Sequence, residues 1–191
     1  MLKIYLTEGI RHITDIQAYD HMAYLLALTA GFTFNRIKPL LLLVTAFTLG
    51  HTFTLILSAV NEPILPSSTI EFLIPVTILI TALYQLSRPI TSSKSIDGKI
   101  YLVTFLFGLI HGSGFSNYFK ALMGKSTNII EPLLAFNLGV EIGQLIIVSI
   151  LLLLTYLATS IIKIKLSQWK TILTILAIAI SIYLTIKTWP F

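Results

Sequence analysis

Long apolar runs, separated by short polar stretches, dominate this amino-acid sequence. A membrane-spanning helix needs about 20 mainly apolar residues, so a chain of 191 residues has room for about six such helices. The pattern predicts one all-α integral membrane domain over residues 1–191, a bundle of about six transmembrane helices. Residues 1–12 are predicted to lie along the membrane surface, and the predicted spans cover about 13–34, 39–60, 69–87, 100–119, 132–162 and 169–189.

The composition agrees with a protein dissolved in the bilayer. Apolar residues make up 55% of the chain and charged residues 11%, and the mean hydropathy is +0.89. A soluble domain carries about 25% charged residues, so a soluble enzyme is excluded. The chain contains no cysteine, which excludes disulfides and thiolate metal sites.

The net charge of +5 concerns orientation in the membrane. Basic residues lie in the short loops between apolar runs. This placement indicates that they orient the helices in the membrane and do not bind nucleic acid. Eight of them fall on one predicted side (Arg36, Lys38, Arg88, Lys94, Lys99, Lys163, Lys165 and Lys170) and five on the other (Lys3, Arg11, Lys120, Lys125 and Lys187). The excess predicts that both termini lie outside the cytoplasm, with the lipid bilayer as the main partner and no nucleic acid.

A few ionisable residues fall where hydrocarbon is predicted. An ionised side chain at the centre of a membrane helix costs about 2.5 to 3.5 kcal/mol, so such residues are candidates for function. They are His21, His51, His111, Asp20 and Glu141, with His12 at the start of the first span. At 1.5 Å per residue, His51, His111 and Glu141 lie at about the same depth, roughly 16 Å from the cytoplasmic face. Asp20 and His21 lie in the outer half, which predicts a polar His/Asp/Glu site there.

Spacing within the helices adds three amides to this site. Asn137, Glu141 and Gln144 share one face of span five, and Gln17 shares a face of span one with His21. Imidazole and carboxylate ligands without thiolate suit Zn, Ni, Fe or Mn. A structural alternative is that the histidines only hydrogen-bond between helices, that Asp20 and His21 form a buried pair, and that Glu141 is protonated.

Four motifs in this order resemble the HupE/UreJ family of small bacterial membrane proteins. The first is Gly9-Ile-Arg-His12-Ile-Thr-Asp15, which continues to Tyr19-Asp20-His21, and the second is Phe47-Thr-Leu-Gly-His51-Thr-Phe-Thr-Leu55. The third is Phe107-Gly-Leu-Ile-His111-Gly-Ser-Gly-Phe115 and the fourth is Phe136-Asn-Leu-Gly-Val-Glu141-Ile-Gly-Gln144. The resemblance implies a metal permease of six or seven spans in the bacterial inner membrane, linked to nickel enzymes. The metal ligands that it implies are His12, Asp20, His21, His51, His111 and Glu141.

Three functions remain open from the sequence. The first is a transporter for nickel or another divalent transition metal, for which Thr45, Thr48 and Thr104 are the polar residues on the cytoplasmic side. The second is an intramembrane metal-dependent hydrolase acting on a lipid or membrane-bound substrate, with Glu141 as general base and the site open to the outer face. The third is an accessory subunit whose polar groups only hold helices together. No organic cofactor is predicted.

Overall fold

The computed structural model describes residues 2–60, 65–90, 97–124 and 129–190, so Lys94 and Lys125 of the charge count lie outside it. The described residues are mainly helical and contain no strand, which confirms the all-α class. The helices are α1 (Leu2–Thr14), α2 (Tyr19–Thr29), α3 (Ile37–Val60), α4 (Ser67–Ser87), α5 (Gly98–Met123), α6 (Ile130–Tyr156) and α7 (Leu166–Lys187). A 3-10 turn over Phe34–Arg36 precedes α3, and a π-helical turn over Leu157–Ile161 extends α6.

Four of the described helices are long and apolar enough to cross a membrane. They comprise Phe34–Ala59, Ser67–Ser87, Ile130–Ile161 and Leu166–Lys187. Helix α5 is equally long, but glycines, serines and His111 in its second half make it less apolar. By length and composition the chain is a membrane protein.

The described residues form seven α-helices where the sequence predicted about six, because the predicted surface segment folds as α1 and the predicted first span is shortened to α2. Helix α1 ends at Thr14 and α2 begins at Tyr19. Between them, Asp15 folds into a turn in which its side chain accepts the backbone N–H of Gln17 at 2.9 Å and its carbonyl accepts that of Ala18 at 2.9 Å. An Asp side chain that bonds its own backbone in this way competes with helix formation.

Helix α1 packs closely along α6, which differs from the surface segment expected for residues 1–12. Glycines make the close approach possible. A side chain at Gly9 would run into the backbone of Phe136, and one at Gly139 would run into the backbone of Leu6. Small residues at such crossings let helix backbones touch, as in other membrane bundles. The packing brings the end of α1, with His12, toward the interior.

Helices α3 and α5 form a second close pair. A side chain at Gly108 would overlap the carbonyl of Phe47, and one at Gly112 would overlap the backbone of His51. Since residues four apart on α5 meet residues four apart on α3 in the same order, the two helices run parallel. In this register His51 on α3 and His111 on α5 lie at the same level of the bundle.

The short helix α2 lies against α4, α6 and α7, and α4 packs against α7. Large buried aromatic side chains fill the centre, among them Tyr24 on α2, Phe47 on α3 and Phe136 on α6. The rings of Tyr24 and Phe47 stack with centroids 4.5 Å apart. The polar residues of the candidate site lie directly against these rings.

Candidate metal centre

The start of α2 contributes an Asp–His pair. The carboxylate Oδ1 of Asp20 accepts the backbone N–H of His21 at 2.9 Å and lies 3.1 Å from its ring Nδ1. A carboxylate only accepts hydrogen bonds, so Nδ1 of His21 carries the proton. The other ring nitrogen, Nε2, is buried and has no hydrogen-bond partner among the described residues. The pair therefore leaves one imidazole lone pair unused.

His111 on α5 is oriented by Thr77 on α4. Its Nε2 lies 3.1 Å from the Thr77 hydroxyl, which donates its own proton to the carbonyl of Ile74 at 2.7 Å. The hydroxyl must therefore accept from His111, so Nε2 is protonated and Nδ1 has the lone pair. That Nδ1 is buried without a partner in the described part of the chain.

His51 on α3 is held in the same way by Asn137 on α6. The amide nitrogen of Asn137 donates to the carbonyl of Leu133 at 2.8 Å, so the amide oxygen faces His51 Nδ1, 3.5 Å away. An amide oxygen accepts, which makes Nδ1 of His51 the protonated nitrogen. Nε2 of His51 is then a buried lone pair, again with no partner in the described ranges.

His12 joins the other three histidines from α1. Its ring centroid lies 4.5 Å from that of His21 and 5.8 Å from that of His51, and the His21 and His111 centroids are 5.6 Å apart. Its Nε2 is also buried and unpartnered within the described residues. The ring of Phe115 covers His12 with centroids 3.9 Å apart. Four imidazoles from four helices thus meet beside one carboxylate.

This arrangement has the chemistry of a metal site. One ligand atom from each of Asp20, His21 and His111 lies within 4.8 Å of the others. In metal sites, a ligating imidazole normally donates its second N–H to a carboxylate, carbonyl or hydroxyl, which fixes the ring. Asp20, Asn137 and Thr77 have this relation to His21, His51 and His111. An imidazole and carboxylate ligand set fits Zn, Ni, Fe or Mn.

Two predicted site residues on α6 have partners on α3 instead. The hydroxyl of Thr45 donates to Glu141 Oε1 at 2.7 Å, and that of Thr48 donates to Gln144 Oε1 at 2.7 Å. The contacts of His51 with Asn137 and of Thr45 with Glu141 show that α6 runs antiparallel to α3. Glu141 and Gln144 therefore lie along the α3–α6 interface toward the start of α3. The metal-ligand group found among the described residues is Asp20, His21 and His111, and three other predicted ligands, His12, His51 and Glu141, are outside it.

Gln17 does not share a helical face with His21. It lies in the turn between α1 and α2, and its side chain is exposed. The i, i+4 relation required a continuous helix through residues 15–18, and the turn at Asp15 removes it. The backbone N–H of Gln17 completes that turn.

Sequence reasoning assigned no role in the site to Thr77, or to Phe115 at the end of the third motif. Both act across helices, since Thr77 on α4 contacts His111 on α5 and Phe115 on α5 covers His12 on α1. Thr77 is one of many threonines in the apolar runs, and most of these bond a carbonyl of their own helix. The only signal was its position two residues after Pro75, a proline within the helix.

A cavity of about 310 Å³ leads from the surface to His12. It is lined by Glu8, Arg11, Asp15, Ala18 and Tyr118 in addition to His12 and Phe115. The Tyr118 hydroxyl donates to Glu8 Oε2 at 3.2 Å across the cavity. The irregular turn between α1 and α2 thus borders this cavity, which agrees with the rule that non-helical backbone in membrane proteins lines cavities or protein interior.

The fold and the site together define a helical membrane protein with a buried cluster of metal-binding residue types. The HupE / UreJ protein family model matches residues 1–190, so the chain belongs to the HupE / UreJ family. This family is generally related to the transport of nickel and other metals. No curated protein and no solved structure matches the chain.

The Thr77→Val variant should weaken metal binding about tenfold, because valine has the same shape but cannot accept the His111 N–H. Titration of the purified protein with Ni²⁺ or Zn²⁺ measures the change. Thr81→Val is the matched control, since Thr81 is also buried on α4 and its hydroxyl donates to the carbonyl of Thr77. Equal affinities in the two variants would contradict the orienting role of Thr77.

Proposed function

We propose that the protein transports a divalent transition-metal ion across the membrane, bound on the way by His12, Asp20, His21, His51 and His111. The observation that carries the proposal is the set of four buried imidazole nitrogens that lack a partner among the described residues. Leaving a buried polar atom unsatisfied costs about 1–3 kcal/mol. A metal ion held by Asp20, His21 and His111 supplies the missing partner of His21 and His111. His12 and His51 lie next to this group as further ligands along the path.

Access from one membrane face supports transport. The cavity at His12 is lined by two carboxylates, Glu8 and Asp15, and one cation, Arg11, and the excess of negative charge attracts cations. The interrupted helix beside it is also typical of transporters, in which broken helices form the substrate site. We infer that this face is the outer one, that both termini lie there, and that the membrane is the bacterial inner membrane.

A polar line beyond the cluster supports passage toward the opposite face. It follows the α3–α6 interface from the His51–Asn137 pair to Thr48–Gln144 and Thr45–Glu141. A permeation site must bind an ion weakly enough to release it, and oxygen ligands bind transition metals more weakly than imidazoles do. In this proposal Glu141 is the carboxylate that receives the ion after it leaves the histidines.

Metal flux into proteoliposomes tests the proposal. Purified protein is reconstituted in vesicles that contain a metal-sensitive dye, and Ni²⁺, Zn²⁺, Mn²⁺ or Fe²⁺ is added outside. We expect saturable flux of at least one ion that is lost in His21→Ala. Ser149→Ala is the control, since Ser149 is exposed and its hydroxyl bonds the carbonyl of Leu145 in its own helix. Bound metal without flux would contradict transport.

The Glu141→Gln variant should separate binding from flux. We expect about tenfold slower flux with nearly unchanged affinity of the histidine cluster, because Glu141 bonds Thr45 and not the cluster. Glu71→Gln serves as control, since Glu71 is an exposed carboxylate on α4. Loss of metal binding in Glu141→Gln would mean that Glu141 is a ligand of the cluster.

The hydrolase alternative assigned the general base to Glu141. A general base must lie within about 3 Å, or one water, of the proton that it removes. Glu141 accepts from Thr45 and lies along the α3–α6 interface, outside the histidine cluster. This position favours a role for Glu141 in ion passage. Bound metal, no flux and hydrolysis of added phospholipid would instead support the enzyme.

A further inference from the structure

A second cluster of charged residues lines a cleft that contains none of the histidines. This cationic cleft, defined by Arg36, Arg88 and Lys170, is found where α2 and α4 end and α7 begins. Gln85 and the turn after α2 complete its wall, and no carboxylate is among its described lining residues. Three cations from three separate segments therefore face one another without an acidic partner in the cleft.

Lys170 is built into the wall of this cleft. Its side chain is only 7% exposed, and its Nζ donates to the carbonyl of Arg88. The methylene groups pass over Gly31, at 3.2 to 3.9 Å from the position that a Cβ would take there. Gly31 also has a φ of 83°, a conformation that suits glycine. The turn after α2 is thus shaped to admit the lysine stem and to hold its ammonium at the cleft.

Arg36 brings hydrogen-bond donors that are not used. Its guanidinium carbon lies 5.1 Å from the centroid of the Phe32 ring, which fixes its plane. Its Nε and Nη2 are buried and have no hydrogen-bond partner in the described part of the chain. Nε and an Nη on the same edge of a guanidinium form the fork that binds two oxygens of a carboxylate or phosphate.

A structural role accounts for part of this cluster only. Cations near the carboxyl ends of helices interact favourably with the helix dipole, and both α2 and α4 end here. This explains the bond from Lys170 to the Arg88 carbonyl. It does not explain the buried, unused donors of Arg36 or the lack of an acidic residue in the described lining.

We propose that the cationic cleft binds one phosphate group, with the Arg36 fork and the Lys170 ammonium as donors. The cleft lies at the ends of apolar helices, the level at which lipid phosphates are found, and basic pockets between membrane helices bind anionic head groups. A phosphate supplies several acceptor oxygens and a negative charge, which the cluster lacks. The phosphate comes from a phospholipid or from free inorganic phosphate.

Two binding measurements on the full-length protein distinguish these sources. Native mass spectrometry with equal amounts of phosphatidylglycerol and phosphatidylcholine measures retained lipid. Thermal unfolding in a detergent without phosphate, with sodium phosphate against sodium chloride at equal ionic strength, measures free phosphate. We expect selective retention of one phosphatidylglycerol if the source is lipid, or saturable stabilisation by phosphate if it is not. If neither effect is observed, the proposal is wrong.

Arg36→Gln should lower the affinity for the effective phosphate source about tenfold, because it removes a charged fork. Lys38→Gln is the control, since Lys38 is an exposed cation two residues away. Circular dichroism and metal binding check that both variants fold. Equal loss in the two variants would mean general charge attraction and would overturn the site, whereas a loss confined to Arg36→Gln, with partial recovery in Arg36→Lys, supports it.

Discussion

Replacing His51 with leucine should lower the affinity for the bound metal ion about 100-fold. A four-ligand zinc site binds with about 10–16 kcal/mol, so one ligand contributes roughly 3 kcal/mol, or about two powers of ten. Leucine nearly matches the volume of histidine, and the Nε2 that it removes has no partner among the described residues. The substitution also removes the Nδ1 bond to Asn137, so the loss of the ligand is measured against the metal-free stability of the same variant.

Thermal unfolding with and without metal measures this effect. With metal at about 100 times its Kd, the wild-type protein should gain about 2.7 kcal/mol of stability, which raises Tm by roughly 5–10 °C. His51→Leu should have a metal-free Tm a few degrees below that of the wild type, because it loses the Nδ1 bond to Asn137, and it should show almost no increase with metal. Thr52→Ala, at the next residue, should keep the full increase, since its hydroxyl bonds the carbonyl of Thr48 in its own helix.

The contrary result has a definite meaning. If the wild-type protein binds no divalent metal and His51→Leu is strongly destabilised without metal, the histidines serve only as hydrogen-bonding residues between helices. This is the structural alternative that the sequence left open. The tautomers fixed by Asp20, Thr77 and Asn137 argue against it, because each leaves the second nitrogen unpaired in the described structure.

The meeting of the histidines was predictable because a membrane allows little freedom in depth. Residue counting from the span ends put His51 and His111 at one level, and their helices are in contact with Gly112 against His51. The interruption at Asp15 was not predictable from apolar periodicity, since it depends on one side chain that bonds its own backbone. A prediction that does not include this interruption joins residues 13–34 into a single span and places Gln17 on the same helical face as His21.

The rotation of each helix about its axis was harder to infer than its depth. Glu141 and Asn137 share one face of α6, yet Asn137 contacts His51, while Glu141 contacts Thr45, which precedes His51 by six residues on α3. Which residue of a face reaches a neighbour depends on the direction and crossing of both helices, and spacing within one helix does not contain this information. The same holds for Thr77, whose partner lies 34 residues away.

The second large effect is expected from Gly108→Leu, because the α3–α5 contact positions two of the four histidines. A Cβ at Gly108 would overlap the carbonyl of Phe47, a backbone atom that cannot move aside without separating the helices. Overpacking of this kind costs 1–3 kcal/mol or more, so we expect Tm to fall by about 10 °C and metal binding to be lost. Thermal unfolding in detergent and metal titration measure the two effects.

Gly98→Leu is the matched control, since a side chain at Gly98, on the same helix, would meet nothing within 4 Å. Its Tm and metal affinity should stay near those of the wild type. A Gly108→Leu protein with unchanged Tm would mean that α3 and α5 are not in backbone contact. Unchanged metal affinity with a lowered Tm would mean that binding does not depend on the α3–α5 contact, and the ion would then be bound mainly by Asp20, His21 and His12 around the start of α2.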